Sequence, residues 1–479
     1  MKKTLRNIII AMAGVMLSLC LATTANAGGL LPVTYTASQS CRLTSAQTVS
    51  FSATLTVVPP TDNGLIYLYQ LQPYEYAATA TDPVIGSAPI SMNPSFNFSL
   101  YDAAGQSRIC KKFALCIYSG GVLTTIGNAQ YITNPEIAAT HTRPLQNVGF
   151  VEPYEKMVLE RVDETNVLAV AIDNYSTAVI VNKANKTLIN PAANKRDAHP
   201  VPRKFYYMFN AATADGVNTL QNTMSSFALA THVDEFIIGN EVNNRQWNYT
   251  ASMDWEQYIW EYVQAFRVSY NAIKSTNANA KVYISLDQVW NMDNPVGSYS
   301  YYEYIDAMDF LLYFNSFICA EGNINWGLAF HPYLYPMTYS KFWDPSGVGS
   351  LYANRVAAGQ IVTFQNLPVM TNFMALPGMR NPQGGVRSII LPEIGITSAQ
   401  GYEVQAATYQ ACYTACRNNP FIERIYFHRM NEGGLCNFGT AGISESVYQS
   451  ISNPATALTY DQWAKNYIGI TDWHQVVQY

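Results

Sequence analysis

Asp234-Glu235-Phe236-Ile237-Ile238-Gly239-Asn240-Glu241-Val242 decides the reading of this chain. Phe236 to Ile238 is apolar, rich in β-branched residues, too short for a helix and closed by Gly239. Such a run predicts a buried strand. The polar pair Asn240-Glu241 then falls where the strand ends. Ser388-Ile389-Ile390-Leu391-Pro392-Glu393-Ile394-Gly395 repeats the arrangement, an apolar strand ending on a glutamate. Carboxylates at the C-terminal ends of buried strands are where a (β/α)8 barrel places its chemistry. The expectation is therefore that Glu241 and Glu393 face one pocket.

Working outward, strand and helix patterns alternate on both sides of this stretch. Asn147–Phe150, Val167–Ile172 and Lys204–Phe209 read as strands. Glu152–Thr165 has helical spacing, and Tyr175 to about Arg203 reads as an insertion with a hairpin. Gly216–Ala230 and Met253–Ser275 read as helices, the latter with Tyr258, Tyr262, Phe266 and Tyr270 on one side. Strands follow at Val282–Leu286, Trp326–Phe330, Ser388 onward and Ile425–Phe427, with helices at Tyr302–Ala320, Val404–Asn418 and Asp461–Tyr467. The strand count reaches eight, which predicts an α/β fold closed as a (β/α)8 TIM barrel over 143–479. No G-x-G-x-x-G follows the first strand, which argues against a dinucleotide-binding sheet.

Residues 28–142 differ. They are rich in Thr, Ser and Ala, with short alternating runs such as Val49–Val57, Leu65–Tyr69 and Phe96–Leu100. Pro59-Pro60, Asp62-Asn63-Gly64 and Gly120-Gly121 punctuate them. That pattern predicts a small β-sandwich-like domain. All eight Trp lie at 247 or beyond, so this domain is expected to brace the barrel rather than display a row of indoles to a sugar.

Composition narrows the function. Charged residues are 13%, aromatics 13%, and Tyr alone numbers 34 in 479 residues. Low charge and abundant tyrosine exclude a disordered or coiled-coil chain. The net charge of -5 and the lack of a basic stripe argue against nucleic acid as a partner. A neutral, hydroxyl-rich ligand fits this surface better.

The N-terminus has the form of a secretory signal over residues 1–27. Lys2, Lys3 and Arg6 precede the apolar run Ile8–Leu21, and Ala25-Asn26-Ala27 is a cleavage pattern. The run is too short for a membrane span, and bulky Leu19 before Cys20 argues against lipidation. Secretion, extracellular or periplasmic, is the expectation. Cys41, Cys110, Cys116, Cys319, Cys412, Cys416 and Cys436 remain. Their odd number leaves at least one thiol outside any intramolecular pair. A Cys41 bridge to Cys110 or Cys116 would stay inside the first domain, and Cys412 and Cys416 are spaced to pack on one helix face. Cys110-x5-Cys116 is not a zinc pattern and there are only six His, so neither a metal nor another cofactor is expected.

An Asn-Glu dipeptide alone means little; a second one occurs at Asn431-Glu432. Position gives the first its weight. On this count Glu241 follows strand four and Glu393 strand seven, on opposite sides of the barrel mouth. Gly239-Asn240-Glu241, Leu391-Pro392-Glu393-Ile394-Gly395 and His331-Pro332-Tyr333 resemble motifs of clan A glycoside hydrolases. Ile238–Asn244, Tyr283–Asp287 and Asn325–Tyr333 resemble, more closely, a poorly characterised family of secreted bacterial proteins assigned to that barrel class. The resemblance covers roughly residues 146 to 435. It implies Glu241 as acid/base, Glu393 as nucleophile and a retaining hydrolase of glycosidic bonds. Where the clan has a Trp after strand eight, this chain has Phe427-His428.

The residue types suit that chemistry. A retaining glycosidase needs one protonated and one ionised carboxyl flanking the bond. Asn240 is expected to bind the sugar 2-hydroxyl, Tyr333 to hold Glu393, and Asp287 and His331 to contact substrate. Trp247 and Trp290 are candidates to stack on sugar faces, with His428 completing the pocket; Trp343 lies on a further loop. Packing, capping or backbone roles are the alternatives for each. Glu432 is the rival nucleophile. No G-x-S-x-G elbow supports an esterase. The reading from another class is a non-catalytic carbohydrate-binding or cell-surface protein on an inactive barrel.

Overall fold

The computed structural model describes residues 36–142, 158–161, 213–230, 235–239, 241–244, 254–292, 304–428, 436–451 and 455–479. The N-terminal part holds seven strands: β1 (Thr36–Leu43), β2 (Thr48–Leu55), β3 (Leu65–Leu71), β4 (Val84–Pro89), β5 (Ser95–Ser99), β6 (Lys112–Ser119) and β7 (Val122–Tyr131). They form two antiparallel sheets, ordered β1-β2-β5 and β4-β3-β6-β7. Alternation in β2 buries Val49, Phe51, Ala53 and Leu55 against Ile66, Leu68, Phe113 and Leu115 of the second sheet. Rings join across the gap, with Phe98 and Phe113 centroids 4.7 Å apart. Two sheets sharing one apolar layer is the sandwich arrangement that the alternation implied.

The remainder is α/β. Its strands are β8 (Val158–Arg161), β9 (Glu235–Ile238), β10 (Lys281–Asp287), β11 (Gly327–His331), β12 (Ile389–Ile394) and β13 (Ile422–His428). They make one parallel sheet in the order β8-β13-β12-β11-β10-β9. The helices are α1 (Ala214–Ala230), α2 (Trp255–Lys274), α3 (Ala307–Ala320), α4 (Ser350–Ala357), α5 (Pro368–Met374), α6 (Tyr402–Asn418), α7 (Ile443–Ile451) and α8 (Asp461–Ile468). Among the described residues, six parallel strands with interleaved helices are thus present. The strands expected at Asn147–Phe150, Val167–Ile172 and Lys204–Phe209, and with them the closure of a barrel, lie outside the described residues. Among the described residues no helix is long and apolar enough to cross a membrane.

Two readings change. Val158–Arg161, expected inside a helix, is a strand paired in parallel with Ile425–His428. The long connection after β11 carries α4 and α5, and α7 was not anticipated.

The parallel sheet has two unlike faces because alternate residues point opposite ways. Phe236, Ile238, Val282, Ile284, Leu286, Leu328, Phe330, Ile389 and Leu391 join the main core beneath the helices. Ile237, Tyr283, Ala329 and Ile390 form a separate small cluster on the other face. Room there is tight: a Cβ on Gly327 would stand 2.4 Å from Tyr283 Cδ1. The Tyr283 hydroxyl meets Glu235 Oε1 at 3.2 Å and Ser388 Oγ at 2.9 Å, and Arg424 pairs with Glu235.

Helix α2 joins the two parts. Asp254 caps it, accepting from Gln257 N, which satisfies one free amide of the first turn. It is buried along nearly its whole length. One side meets the parallel sheet, where Tyr262 donates to Ile238 O at 2.6 Å. The other meets the N-terminal sheets, where Asn271 Nδ2 donates to Ile109 O and Ile132 O. Buried Lys112 of β6 pairs with Glu321 at 3.5 Å and lies over the Trp260 ring. Gln264 donates to both Glu321 oxygens and accepts from the Tyr131 hydroxyl at 2.8 Å. The seven described cysteines are free thiols, so no bridge ties Cys41 to Cys110 or Cys116. Burial pushes the Cys110 and Cys116 thiols up to about 12. Cys412 and Cys416 are both buried on α6.

Candidate active site

After β9 the chain turns abruptly. Gly239 takes φ 87° and Glu241 φ 47°, a left-handed conformation that a side chain rarely adopts. The turn is held from several sides. Glu241 N donates to Ser285 Oγ at 3.0 Å, and Val242 N to Ser285 O at 2.9 Å. Tyr258 of α2 donates to Val242 O at 3.0 Å. Asn243 Nδ2 donates to Asp287 Oδ1 at 3.1 Å, while Asp287 N donates back to Asn243 Oδ1 at 3.2 Å. A non-glycine residue in this region costs of order 1–3 kcal/mol and persists where its surroundings over-determine it. The consequence is that the Glu241 side chain comes to the tip of β10 and β11.

Glu393 arrives by a different device. Pro392 removes one amide from β12, and the β12–β13 register shifts between Leu391 and Ile394. Proline inside a sheet sits at bulges or edges, and a bulge re-aims a side chain. Glu393 is 7% exposed and accepts a hydrogen bond from the Tyr333 hydroxyl at 2.8 Å. The Tyr333 ring is backed by Phe438, with centroids 5.9 Å apart. Phe438 fits there because residue 395 is glycine: a Cβ would stand 2.6 Å from its ring.

His331 ends β11 directly beside Asp287 of β10 and is fully buried. Its Nδ1 lies 3.0 Å from Glu241 Oε1 and 3.5 Å from Glu393 Oε2. Both oxygens contact the same nitrogen, so they are separated by no more than the sum of those distances, about 6.5 Å. The other ring nitrogen, Nε2, is 3.3 Å from Ser285 Oγ. An Nδ1 facing two carboxylates is a hydrogen donor, so in the neutral ring Nε2 accepts from the serine. Asp287 adds a third carboxyl at the rim. Burial of that carboxyl, and then the charge of Glu241, push it well above its ordinary 3.8.

Glu241, Asp287, His331, Tyr333 and Glu393 thus stand together at the C-terminal ends of β9 to β12. Trp290 does not present a face to this site. It is 2% exposed, edge-on to Phe330 and Phe373, and belongs to the core. Asn240, Trp247 and Glu432 lie outside the described residues, as does the His428 side chain, although its backbone ends β13. Phe427 packs against Tyr409 and Tyr448 in the core. Ser285, Asn243 and Phe438 were not singled out from sequence. Only the polar Ser285 inside the apolar run Val282–Leu286 carried a visible signal.

A parallel α/β sheet with paired glutamates at its strand ends is the class that fold and site define. The chain belongs to the family of unknown function DUF5722, whose model matches residues 149–476. No curated protein matches the chain. Several solved glycoside hydrolases are similar at low identity. A family 39 glycoside hydrolase from Bacteroides cellulosilyticus WH2 is 14% identical with a TM-score of 0.37, over 83% of this chain and 78% of that one. A GH5-4 endoglucanase from Clostridium acetobutylicum is 13% identical with a TM-score of 0.37, over 64% and 91%. An FMN-binding β-glucuronidase from Facaelibacterium prausnitzii L2-6 is 10% identical with a TM-score of 0.34, over 86% of this chain; this chain spans 60% of that enzyme's length. Values this low assign neither a reaction nor a closed barrel.

Proposed function

We propose that this protein is a secreted retaining glycoside hydrolase acting on an oligo- or polysaccharide. The observation that carries the reading is the meeting of Glu241 and Glu393 at one buried imidazole nitrogen. In the proposed reaction Glu241 protonates the leaving oxygen while Glu393 attacks the anomeric carbon. Glu241, now ionised, then draws a proton from water, which releases the sugar from Glu393. Retaining enzymes hold their carboxyls about 5–5.5 Å apart and inverting ones about 6.5–9.5 Å. The Glu241 Oε1–Glu393 Oε2 separation, at most about 6.5 Å, leaves room for the retaining arrangement. Tyr333 keeps Glu393 in line and lowers the cost of its charge. Asn240 is assigned the sugar 2-hydroxyl. Secretion rests on the charged, apolar and A-x-A segments of residues 1–27.

Azide tests the two roles on an aryl glycoside with a good leaving group. In Glu241→Ala the glycosyl-enzyme still forms but its hydrolysis stalls; azide restores turnover and gives a glycosyl azide of retained configuration. In Glu393→Ala azide enters the vacated space and gives the inverted product. Without azide, activity falls roughly 10²–10⁴-fold for the acid and by at least as much for the nucleophile. Near-native activity in both variants would leave a non-catalytic carbohydrate-binding protein; exchanged stereochemistry would exchange the roles.

A further inference from the structure

A concavity in the structure has neither glutamate in its lining. It has a volume of about 280 Å³ and is walled by the segment after β11, by α4, by the approach to α5 and by the C-terminal tail. Its inner wall is apolar and aromatic, with Tyr335, Tyr339, Phe342 and Val356. Gln365, His474, Gln475 and Gln478 also line it, the Gln475 side-chain oxygen being held by Thr471 N and Asp472 N. Among the described residues that line it, none is Asp, Glu, Lys or Arg.

The walls are built rather than loose. Tyr339 donates to Asp344 O at 2.7 Å, and the loop closes on its ring so tightly that a Cβ on Gly347 would stand 2.6 Å away. Arg355 donates to the Tyr335 hydroxyl at 2.8 Å. The tail is pinned by Gln478 N to Gln365 O at 2.8 Å, and by Trp473 Nε1 to Asp461 Oδ1 at 2.7 Å.

From this wall an aromatic path leads onto the surface. Phe342 meets Trp343 at 5.2 Å, Trp343 meets Tyr467 at 6.3 Å, and Tyr467 stacks on Trp463 at 5.5 Å. Tyr467 is 43% exposed. The neighbouring charges are closed into pairs, Lys341 with Asp344 and Lys465 with Asp461, each at 2.8 Å.

We propose that the cavity and this path form a second binding site, for a neutral saccharide chain. Aromatic faces match the C–H faces of a pyranose ring, and amides at a rim match its hydroxyl edges. A lining without Asp, Glu, Lys or Arg offers no fixed counter-charge to an acidic or basic ligand, which would lose hydration there. The cavity takes one sugar residue, just below the roughly 300–1,000 Å³ of drug-sized sites, and the chain continues along Trp343, Tyr467 and Trp463. This site is independent of the glutamate pair.

Affinity electrophoresis of the full chain through gels holding hydroxyethylcellulose, xyloglucan or galactomannan, with polygalacturonate as the charged control, tests it. Retardation is expected by at least one neutral polymer and not by polygalacturonate. Glu241→Gln/Glu393→Gln should be retarded equally. Tyr467→Ala, a change at an exposed ring, and Ala353→Trp, which fills the cavity, should each weaken retardation roughly tenfold or more, with unchanged circular dichroism. Absence of retardation by every neutral polymer overturns the proposal. So does retardation that survives both cavity and surface variants, or that is lost only with the glutamates. Retardation without hydrolysis leaves this proposal standing and separates it from the catalytic reading, which the azide experiment decides.

Discussion

The Tyr333 hydroxyl stands 2.8 Å from Glu393 Oε1, joining the loop just after β11 to the end of neighbouring β12, 60 residues on in the chain. A hydrogen bond to a charged acceptor contributes about 1.5–3 kcal/mol. Tyr333→Phe removes that donor and leaves the ring against Phe438. The expected result is a roughly 10–100-fold fall in kcat/KM, steepest at low pH, where Glu393 must remain ionised without help. A uniform fall across the pH range would assign Tyr333 a packing role instead.

Ser285 ties two parts of the site together, accepting from Glu241 N and contacting His331 Nε2. Ser285→Ala leaves both without that partner, at a cost of about 1–3 kcal/mol for a buried unsatisfied group. Urea denaturation should show the loss, and kcat/KM should fall with it. Ser285→Thr keeps the oxygen and should recover most of both. Full stability in the alanine variant would mean that the serine does not hold the turn.

Asp287 gives a stability test with a defined sign. Its folded-state value is raised, first by burial and then by Glu241. The unfolded chain ionises near 3.8 while the folded one keeps its proton, so the folded state binds more protons and stability falls as pH rises through that window. Asp287→Asn keeps an acceptor for Asn243 and Val289 but cannot ionise. Its Tm should exceed that of the parent protein at neutral pH, with the difference shrinking to nothing as pH falls to about 3.8. A pH-independent difference would remove the raised carboxyl from the account.

Trp290 belongs to the core, so its substitution should be read in stability. Trp290→Ala is expected to cost about 3–5 kcal/mol, with Trp290→Phe much milder. If saccharide affinity fell while the unfolding midpoint stayed put, the indole would have to be a binding surface after all.

What could be read from sequence follows a physical division. Phe236–Ile238 and Ile389–Leu391 are legible because a buried parallel strand is apolar on both faces, and a short apolar run ending in Gly or Pro has few other uses. Helix α2 is legible because its apolar spacing persists over many turns. Val158–Arg161 reads as helix because Val158 and Val162 suit a helix as well as a strand; the pairing with Ile425–His428, far along the chain, decides it. The site was legible only as two strand ends. The left-handed turn at Glu241, the register shift at Glu393 and the role of Ser285 are set by neighbours across the sheet, and spacing along one strand does not record them.

The contact of Lys112 with Glu321 bears on how this polypeptide can be cut. A fragment beginning after residue 142 would lack Lys112, Tyr131 and the carbonyls of Ile109 and Ile132. Glu321, 7% exposed in the whole chain, would face water or an empty interface, and the flank of α2 that now meets β6 and β7 would be bare. Breaking a buried ion pair by deleting one partner costs about 3–5 kcal/mol. Such a fragment should aggregate or require denaturant to stay in solution, whereas Lys112→Met in the intact chain keeps the interface covered and should fold with an unfolding midpoint lowered by that cost. The first sheets therefore act as a permanent lining for the helix behind the glutamates, and the parallel-sheet half carries its own scaffold ahead of it in the order of synthesis.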